Sequence, residues 1–135
     1  MRTRIFSLLV GSICVSAMPL PGLAQDPRHP FQLRSSTFKN NTFLPISAIH
    51  NITLPNGTNG CSIDGSPGGD KSPELSWTGV PRGTSSFVVI TFDTLGFTHW
   101  GMYNIPPTIK KLPENAGVAG SAYGQQIVNT YGDLS

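Results

Sequence analysis

The residues of this sequence best placed to do chemistry are an aspartate and a histidine that flank one short loop. Asp93 follows the apolar segment Phe87–Phe92, and His99 precedes the apolar segment Trp100–Ile105. Two apolar segments joined in this way are typical of a β-hairpin, which brings the end of one strand close to the start of the next. A carboxylate beside an imidazole at a sheet edge makes a small polar site in an otherwise apolar wall.

The pair has a definite chemical use if a ligand reaches it. An aspartate that accepts a hydrogen bond from one imidazole nitrogen leaves the other nitrogen free to donate to a ligand oxygen. It also favours the protonated ring when an anion is bound. The alternative is that His99 is a structural histidine at the start of a strand, held by Asp93 and contacting no ligand.

The segments that must position this pair predict a mainly β domain. Phe87–Phe92 is β-branched or aromatic at almost every position and has no polar face, so we expect a strand covered on both sides. Further strands are predicted at Phe31–Phe38, Ile46–Thr53 and Glu74–Trp77, and no long stretch shows helical periodicity. The aromatic residues of the strands are expected in the core, namely Trp77, Phe87, Phe92, Trp100 and Tyr103.

Residues 1–24 have the composition of a cleaved export signal. Arg2 and Arg4 precede an apolar stretch too short for a good membrane span, and the small residues after it predict cleavage before Gln25. We therefore expect a periplasmic or secreted protein with one domain, residues 25–135, and no integral membrane span after cleavage. Two of the 9 Lys and Arg residues lie in the signal, so 7 remain against 7 Asp and Glu. This neutral balance gives no basic patch for nucleic acid.

The other reactive residue types fit neither a metal site nor an enzyme. The histidines are scattered along the chain and Cys61 has no CxxC partner, so no zinc pattern is present. No GxSxG sequence occurs, and Cys61 has no neighbouring histidine to activate it. Asp70 and Glu74 are expected at the surface with no fixed geometry. We expect neither catalysis nor a cofactor.

Three stretches carry motifs in a fixed order over residues 72–133. They are SPELSWTGVPRGTSSFVVITFD, FTHWGMYNIPP and YGQQIVNTYGD. In order and spacing they resemble the phosphatidylethanolamine-binding protein family, in its bacterial Raf-kinase-inhibitor-like branch of the YbhB/YbcL type. The resemblance implies a β-sandwich of antiparallel sheets with a small cavity at one end that accepts phosphate, acetate or the phosphoryl head group of a lipid. It places Asp93 and His99 in that pocket and Phe97 near its aromatic wall.

The sequence departs from the family pattern in two places. Where the family has DPDAP, Asp93 is followed by Thr94–Gly96, which shortens the loop at the pocket. The family also continues through a GPCPP-like loop, an HRYxF strand and a final helix, whereas this sequence ends at Ser135. The resemblance therefore implies a fragment or a truncated product that lacks the other wall of the anion site. It also implies that Cys61 lacks its natural disulfide partner and that a sheet edge is exposed.

Two functions from different classes remain open. The first is a non-catalytic binding protein that holds a small anionic or phosphoryl-bearing ligand in a pocket containing Asp93, His99 and Phe97. The second is an interaction or inhibitor module for a protein target, of the protease or kinase type, in which the pocket is vestigial. The shortened loop after Asp93 favours the second.

Overall fold

The computed structural model describes residues 26, 28–132 and 134. The predicted export signal and its cleavage site lie outside these residues. Within the described chain the elements are β1 Gln32–Arg34, a 3-10 helix at Ile46–Ala48, β2 Leu75–Thr78, β3 Phe87–Phe92, β4 Thr98–Ile105, β5 Lys111–Leu112 and β6 Gln125–Gln126. The mainly β class predicted from the sequence is confirmed. Among these residues, no helix has the length and hydropathy that crossing a membrane requires.

The strands form two antiparallel sheets of three strands each. One sheet has the order β1-β2-β5 and the other the order β3-β4-β6. The predicted hairpin is the β3–β4 pair, in which Thr91 lies opposite Trp100 and Phe92 lies opposite Thr98, with an irregularity between these two positions. This register brings Asp93, just beyond β3, next to His99, the second residue of β4.

The two sheets share one hydrophobic core. Its fully buried side chains come from both sheets, with Met102 and Ile105 on β4 and Leu112 on β5 each 0% exposed. Trp77 and Trp100 are buried as predicted, and Phe87 packs edge-on against Trp77 with ring centroids 5.1 Å apart. The core therefore holds β4, the strand that carries His99, against the β1-β2-β5 sheet.

The expectation that β3 is covered on both sides is wrong. Its residues alternate between half-buried and exposed, and Val88, Ile90 and Phe92 are 59%, 51% and 69% exposed. β3 is the edge strand of its sheet, and in the described part of the chain nothing covers its outer face. Phe92 is therefore not a core residue, and neither is Tyr103, which is 37% exposed on β4.

The predicted strand over Ile46–Thr53 is also wrong. Pro45 fixes the start of a 3-10 turn, in which the Ala48 N–H donates to the Pro45 carbonyl at 2.9 Å. The backbone of this turn bonds to a glycine-rich loop, because the N–H groups of Gly69 and Lys71 donate to the carbonyls of Ile46 and Ser47. Loop-to-loop hydrogen bonds thus replace the sheet ladder that the sequence pattern indicated.

Glu74 is buried, although the sequence analysis places it at the surface. Its carboxylate accepts hydrogen bonds from the Ser36 N–H at 2.6 Å and the Ser36 hydroxyl at 2.8 Å, and it pairs with Lys111 at 3.3 Å. Burial acts to raise the pKa of Glu74, but the bonds from Ser36 and Lys111 outweigh it and hold the pKa below its ordinary value. The turn at Ser36 also ends the predicted Phe31–Phe38 strand early, at Arg34.

Candidate ligand-binding site

The loop between β3 and β4 is folded around the carboxylate of Asp93. One carboxylate oxygen accepts hydrogen bonds from the N–H groups of Leu95 at 2.8 Å and Phe97 at 3.0 Å. The Asp93 N–H in turn donates to the Phe97 carbonyl at 3.1 Å. An aspartate that organises its own turn in this way gives the loop a defined shape.

The second carboxylate oxygen of Asp93 holds the imidazole of His99. Oδ2 lies 3.2 Å from His99 Nε2, so the two residues meet as the hairpin predicts. Partial burial acts to raise the pKa of Asp93, but the Phe97 N–H, His99 and the Leu95 N–H outweigh it, and the pKa lies below its ordinary value. Asp93 is therefore ionised at neutral pH and presents a negative charge to the ring.

A second histidine–aspartate pair lies in the same region. His50 Nδ1 is 2.8 Å from Asp70 Oδ1, and that oxygen also accepts the Asn51 N–H at 2.7 Å. His50 follows the 3-10 helix, and Asp70 belongs to the loop bonded to that helix, where its φ of 51° places it in the left-handed region. Asp70 is exposed as expected, but its geometry is fixed, contrary to the prediction.

Tyr131 contacts both imidazoles. Its ring centroid is 5.9 Å from that of His50 and 5.9 Å from that of His99. The tail that carries it runs beside the start of β4, where the Thr130 N–H donates to the Thr98 carbonyl at 2.9 Å and the Thr98 N–H donates to the Thr130 hydroxyl at 2.8 Å. The Tyr131 N–H is held by Asn129, a residue only 5% exposed.

The two histidine–aspartate pairs line a cavity of about 410 Å³. Its polar side carries His50, Asp70, Lys71, Asp93 and His99, and its apolar side includes Phe43, Leu44, Ile49, Phe92 and Trp100. Phe97, the third residue predicted for the site, lies outside this lining. It stacks on Tyr131, which is also outside the lining, with ring centroids 6.5 Å apart.

Trp100 and Gly117 form part of the cavity wall that adjoins the core. The Trp100 indole N–H donates to Gln126 at 3.0 Å, and the Gly117 N–H donates to the Ser72 hydroxyl at 2.8 Å. A Cβ added at Gly117 would lie 2.7 Å from Trp100 Cε2 and 2.9 Å from Ser72 Cβ, and it would lie closer still to the indole nitrogen. Only glycine fits here, and the position of Trp100 depends on it.

The cavity lining combines acidic and basic side chains. It holds the carboxylates of Asp70 and Asp93, the amino group of Lys71 and the imidazoles of His50 and His99. Cys61 also lines the cavity, and burial raises the pKa of its thiol, so the thiol is neutral at pH 7. No group of three His, Cys, Asp or Glu side chains within the described residues is arranged to hold a metal ion.

Sequence reasoning missed His50 and Asp70, whereas for Tyr131 it left open an approach to the pocket or simple packing. His50 and Asp70 lie twenty positions apart in a stretch with no periodic pattern. The one available signal was the Gly68-Gly69 pair before Asp70. At Gly69 an added Cβ would lie 2.7 Å from Ser47 Cα, so glycine is needed for the loop to approach the 3-10 helix.

Comparison with known proteins assigns the fold. The sequence profile of the phosphatidylethanolamine-binding protein family matches residues 34–134, which is most of the chain. The chain belongs to this family. Members of the family similar to it include the UPF0098 protein YbcL of Escherichia coli K12, which is 47% identical over 122 residues. The aligned region covers 87% of this chain and 56% of YbcL.

A second relative and a solved structure support the assignment. The UPF0098 protein YbhB of Escherichia coli K12 is 35% identical over 81 residues, which cover 56% of this chain and 49% of YbhB. The crystal structure of Escherichia coli YbcL superposes with a TM-score of 0.58 and 32% identity, covering 76% of this chain and 61% of YbcL. The chain thus spans about half the length of the relatives that it matches.

Proposed function

We propose that this member of the phosphatidylethanolamine-binding protein family is a non-catalytic binding protein that holds a small anionic or phosphoryl-bearing ligand in the 410 Å³ cavity. The observation that carries the proposal is the position of His99. It is a cavity-lining imidazole fixed through one nitrogen by a carboxylate whose other oxygen is bound to the hairpin loop.

The chemistry of the pair favours an anion. Asp93 is ionised and holds one ring nitrogen of His99, and an imidazole N–H on the other nitrogen is a donor to a ligand oxygen. Asp93 itself is occupied by the loop N–H groups and by His99, so its charge serves to orient the ring. Lys71 adds a positive group to the lining.

The apolar side of the cavity favours a ligand that carries an apolar part beside its anionic group. Phe43, Leu44 and Ile49 lie beside the polar groups and present apolar surface to the same space. Binding cavities with mostly apolar walls and a few convergent polar groups hold a ligand by its charged end and bury its uncharged part. A ligand with a phosphoryl or carboxylate group on a small apolar body fits this arrangement.

The cavity contains no activated nucleophile among the described residues, which supports binding rather than catalysis. The Cys61 thiol is kept protonated because burial raises its pKa. The Ser72 hydroxyl accepts a hydrogen bond from the Gly117 N–H, which ties it to the wall of the cavity.

Isothermal titration calorimetry of the chain with inorganic phosphate and with phosphoethanolamine tests the proposal. A hydrogen bond to a charged group contributes about 1.5–3 kcal/mol, so we expect His99→Ala to weaken binding by about tenfold or more. His29→Ala is the matched control, because His29 also pairs with an aspartate, at 3.5 Å, but its side chain is 78% exposed outside the cavity. Equal affinity of the wild type and His99→Ala would remove His99 from the site.

A second candidate is an interaction or inhibitor module for a protein target such as a protease or kinase. The observation that favours it is the apolar row Val88, Ile90 and Phe92 on the outer face of the edge strand β3. Exposed apolar faces beside an open sheet edge are typical of protein contacts. A partner captured by the wild type and by His99→Ala, but not by Ile90→Lys, would support this function and make the cavity dispensable for it.

A further inference from the structure

Two asparagines of the chain are followed directly by glycine, and both lie in the loop between the 3-10 helix and β2. They form the pairs Asn56–Gly57 and Asn59–Gly60. In such a pair the backbone nitrogen of the glycine can attack the side-chain carbonyl of the asparagine, because glycine has no Cβ to hinder the approach. The attack releases the side-chain amide as ammonia, so either pair is a candidate for deamidation.

Asn59 is buried, and both ends of its amide are held. It is 5% exposed, and its Oδ1 accepts the N–H groups of Ile52 and Cys61, each at 3.0 Å. Its Nδ2 donates to the His50 carbonyl at 3.0 Å, so the group that would leave is itself hydrogen bonded. The side chain cannot turn towards the Gly60 nitrogen without losing these three bonds. Deamidation here therefore requires local opening of the loop.

Asn56 lies on the surface, and the hydrogen bonds to its side chain favour the attack. Its Oδ1 accepts the Thr58 N–H at 3.1 Å and the Thr58 hydroxyl at 2.7 Å. This Asx-turn geometry folds the side chain back over the Gly57 peptide. The two donors also face the oxygen that gains negative charge when the carbonyl carbon is attacked. A Cβ added at Gly57 would meet nothing within 4 Å, so the peptide has space to move.

The backbone hydrogen bonds of the two glycines do not separate the pairs. The Gly57 N–H donates to the Leu54 carbonyl at 2.9 Å, and the Gly60 N–H donates to the Ile52 carbonyl at 2.8 Å. Either nitrogen must leave one such bond before it attacks. The two pairs therefore differ in the burial and the hydrogen bonding of the asparagine side chain.

We propose that Asn56 is a site of spontaneous deamidation, and that the fold directs the reaction to Asn56 and away from Asn59. The Gly57 nitrogen forms a bond to Asn56 Cγ and gives its proton to water, the Cγ–Nδ2 bond breaks, and ammonia leaves. Water then opens the resulting succinimide at either carbonyl, which gives an aspartate or an isoaspartate at position 56. The net reaction consumes water and releases ammonia, and it is independent of the ligand proposed for the cavity.

Asp64–Gly65 is an internal comparison, because an aspartate before glycine can form the same succinimide. That reaction proceeds from the protonated carboxyl group, since a carboxylate is a poor electrophile. The Ser66 hydroxyl and N–H donate to Asp64 Oδ1 at 2.5 Å and 3.0 Å, and they hold the pKa of Asp64 below its ordinary value. Isoaspartate should therefore accumulate at position 56 before it accumulates at Asp64.

Timed incubation of the full chain in neutral and mildly alkaline buffer, followed by peptide mapping, tests the inference. Tandem mass spectrometry locates each amide-to-acid exchange, and labelling with an isoaspartyl methyltransferase detects the isoaspartate. We expect Asn56 to deamidate at least about tenfold faster than Asn59, because Asn59 must first lose three hydrogen bonds. In the urea-unfolded chain the two rates should converge, since both asparagines precede glycine.

Variants separate the roles of the residues around the turn. Asn56→Gln should remove the fast reaction, because attack on the longer side chain closes a larger and less favourable ring. Asn40→Gln is the matched control, since Asn40 is also exposed but precedes Asn41, and it should leave the fast reaction unchanged. Thr58→Val should slow the reaction several-fold, and Thr58→Ser should keep the wild-type rate. A thermal melt checks that each variant is folded.

The results that would overturn the inference are specific. Equal rates at Asn56 and Asn59 in the folded chain, or faster reaction at Asn59, would show that the fold does not direct the chemistry. Reaction at Asn56 no faster than at Asn40 would show that the turn is not a deamidation site. A wild-type rate in Thr58→Val would overturn the role given to the hydroxyl.

Discussion

Replacing Gly117 with alanine tests how the core positions the cavity. The added Cβ would lie 2.7 Å from Trp100 Cε2 and 2.9 Å from Ser72 Cβ, and real Cβ atoms essentially never approach other heavy atoms this closely. The indole must move to relieve the overlap, since the Gly117 N–H is tied to Ser72. Movement of the indole strains its hydrogen bond to Gln126, which in turn donates to the Val118 carbonyl.

The size of the effect follows from these contacts. Forcing an extra methyl group into a packed core costs about 1–3 kcal/mol, and the weakened indole hydrogen bond adds about 1 kcal/mol. We expect Gly117→Ala to lower the free energy of unfolding by about 2–4 kcal/mol, which is roughly 10–25 °C in Tm for a domain of this size. Because Trp100 lines the cavity, phosphate affinity should also fall.

Thermal unfolding monitored by near-ultraviolet circular dichroism measures both the stability of the fold and the packing environment of the tryptophans. Gly60→Ala is the matched control, because the three atoms nearest its Cβ would all belong to the Leu54 side chain, the closest at 3.1 Å, and Leu54 is 41% exposed and can move. We expect that control to melt within about 3 °C of wild type. The account of this wall is refuted if Gly117→Ala melts with the control and keeps the wild-type tryptophan signal.

Three further predictions concern charges and burial. Glu74→Gln should lower the free energy of unfolding at neutral pH by about 2 kcal/mol. Because the folded pKa of Glu74 lies below its ordinary 4.5, this difference from wild type should persist above pH 4.5 and disappear as the pH falls through the lowered pKa. Denaturant titrations at neutral and acidic pH measure the difference in the free energy of unfolding. A difference that stays constant with pH would contradict the pairing of Glu74 with Ser36 and Lys111. Asp93→Asn should keep the loop hydrogen bonds and the wild-type melting temperature while weakening phosphate binding several-fold. Asp93→Ala should lower both the melting temperature and the phosphate affinity. Calorimetry and thermal melts of the two variants decide whether the charge of Asp93 matters separately from its loop hydrogen bonds. Iodoacetamide should modify Cys61 at pH 7 more slowly in the folded chain than in the urea-unfolded chain, since burial raises the pKa of the thiol. Mass spectrometry of the peptide that contains Cys61 measures the two rates. Equal rates would contradict the partial burial of the thiol.

The hairpin and its polar pair could be predicted because their determinants are local. Phe87–Phe92 and the segment after His99 are close in sequence and strongly apolar, so pairing them leaves Asp93 and His99 together whatever the rest of the chain does. Trp77 and Trp100 were placed in the core by size alone. The structure extends β4 two residues further towards the loop, so that His99 lies on the strand itself.

The other half of the cavity could not be predicted because it depends on contacts that are distant in sequence. His50 meets Asp70 only because a 3-10 turn and a glycine-rich loop bond to each other, and neither has a periodic signal. The apolar composition of β3 likewise does not reveal that one of its faces is uncovered, since that depends on which strands lie beside it. Phe97 was assigned by motif position, whereas the loop built around Asp93 turns its ring onto Tyr131.

A crystal structure of the chain in complex with inorganic phosphate tests the central claim most directly. We expect a phosphate in the cavity, with an oxygen within hydrogen-bond distance of the His99 imidazole. The structure should be determined at a phosphate concentration that saturates binding in the calorimeter. A cavity without phosphate under those conditions, or a phosphate bound elsewhere on the surface, would contradict the account.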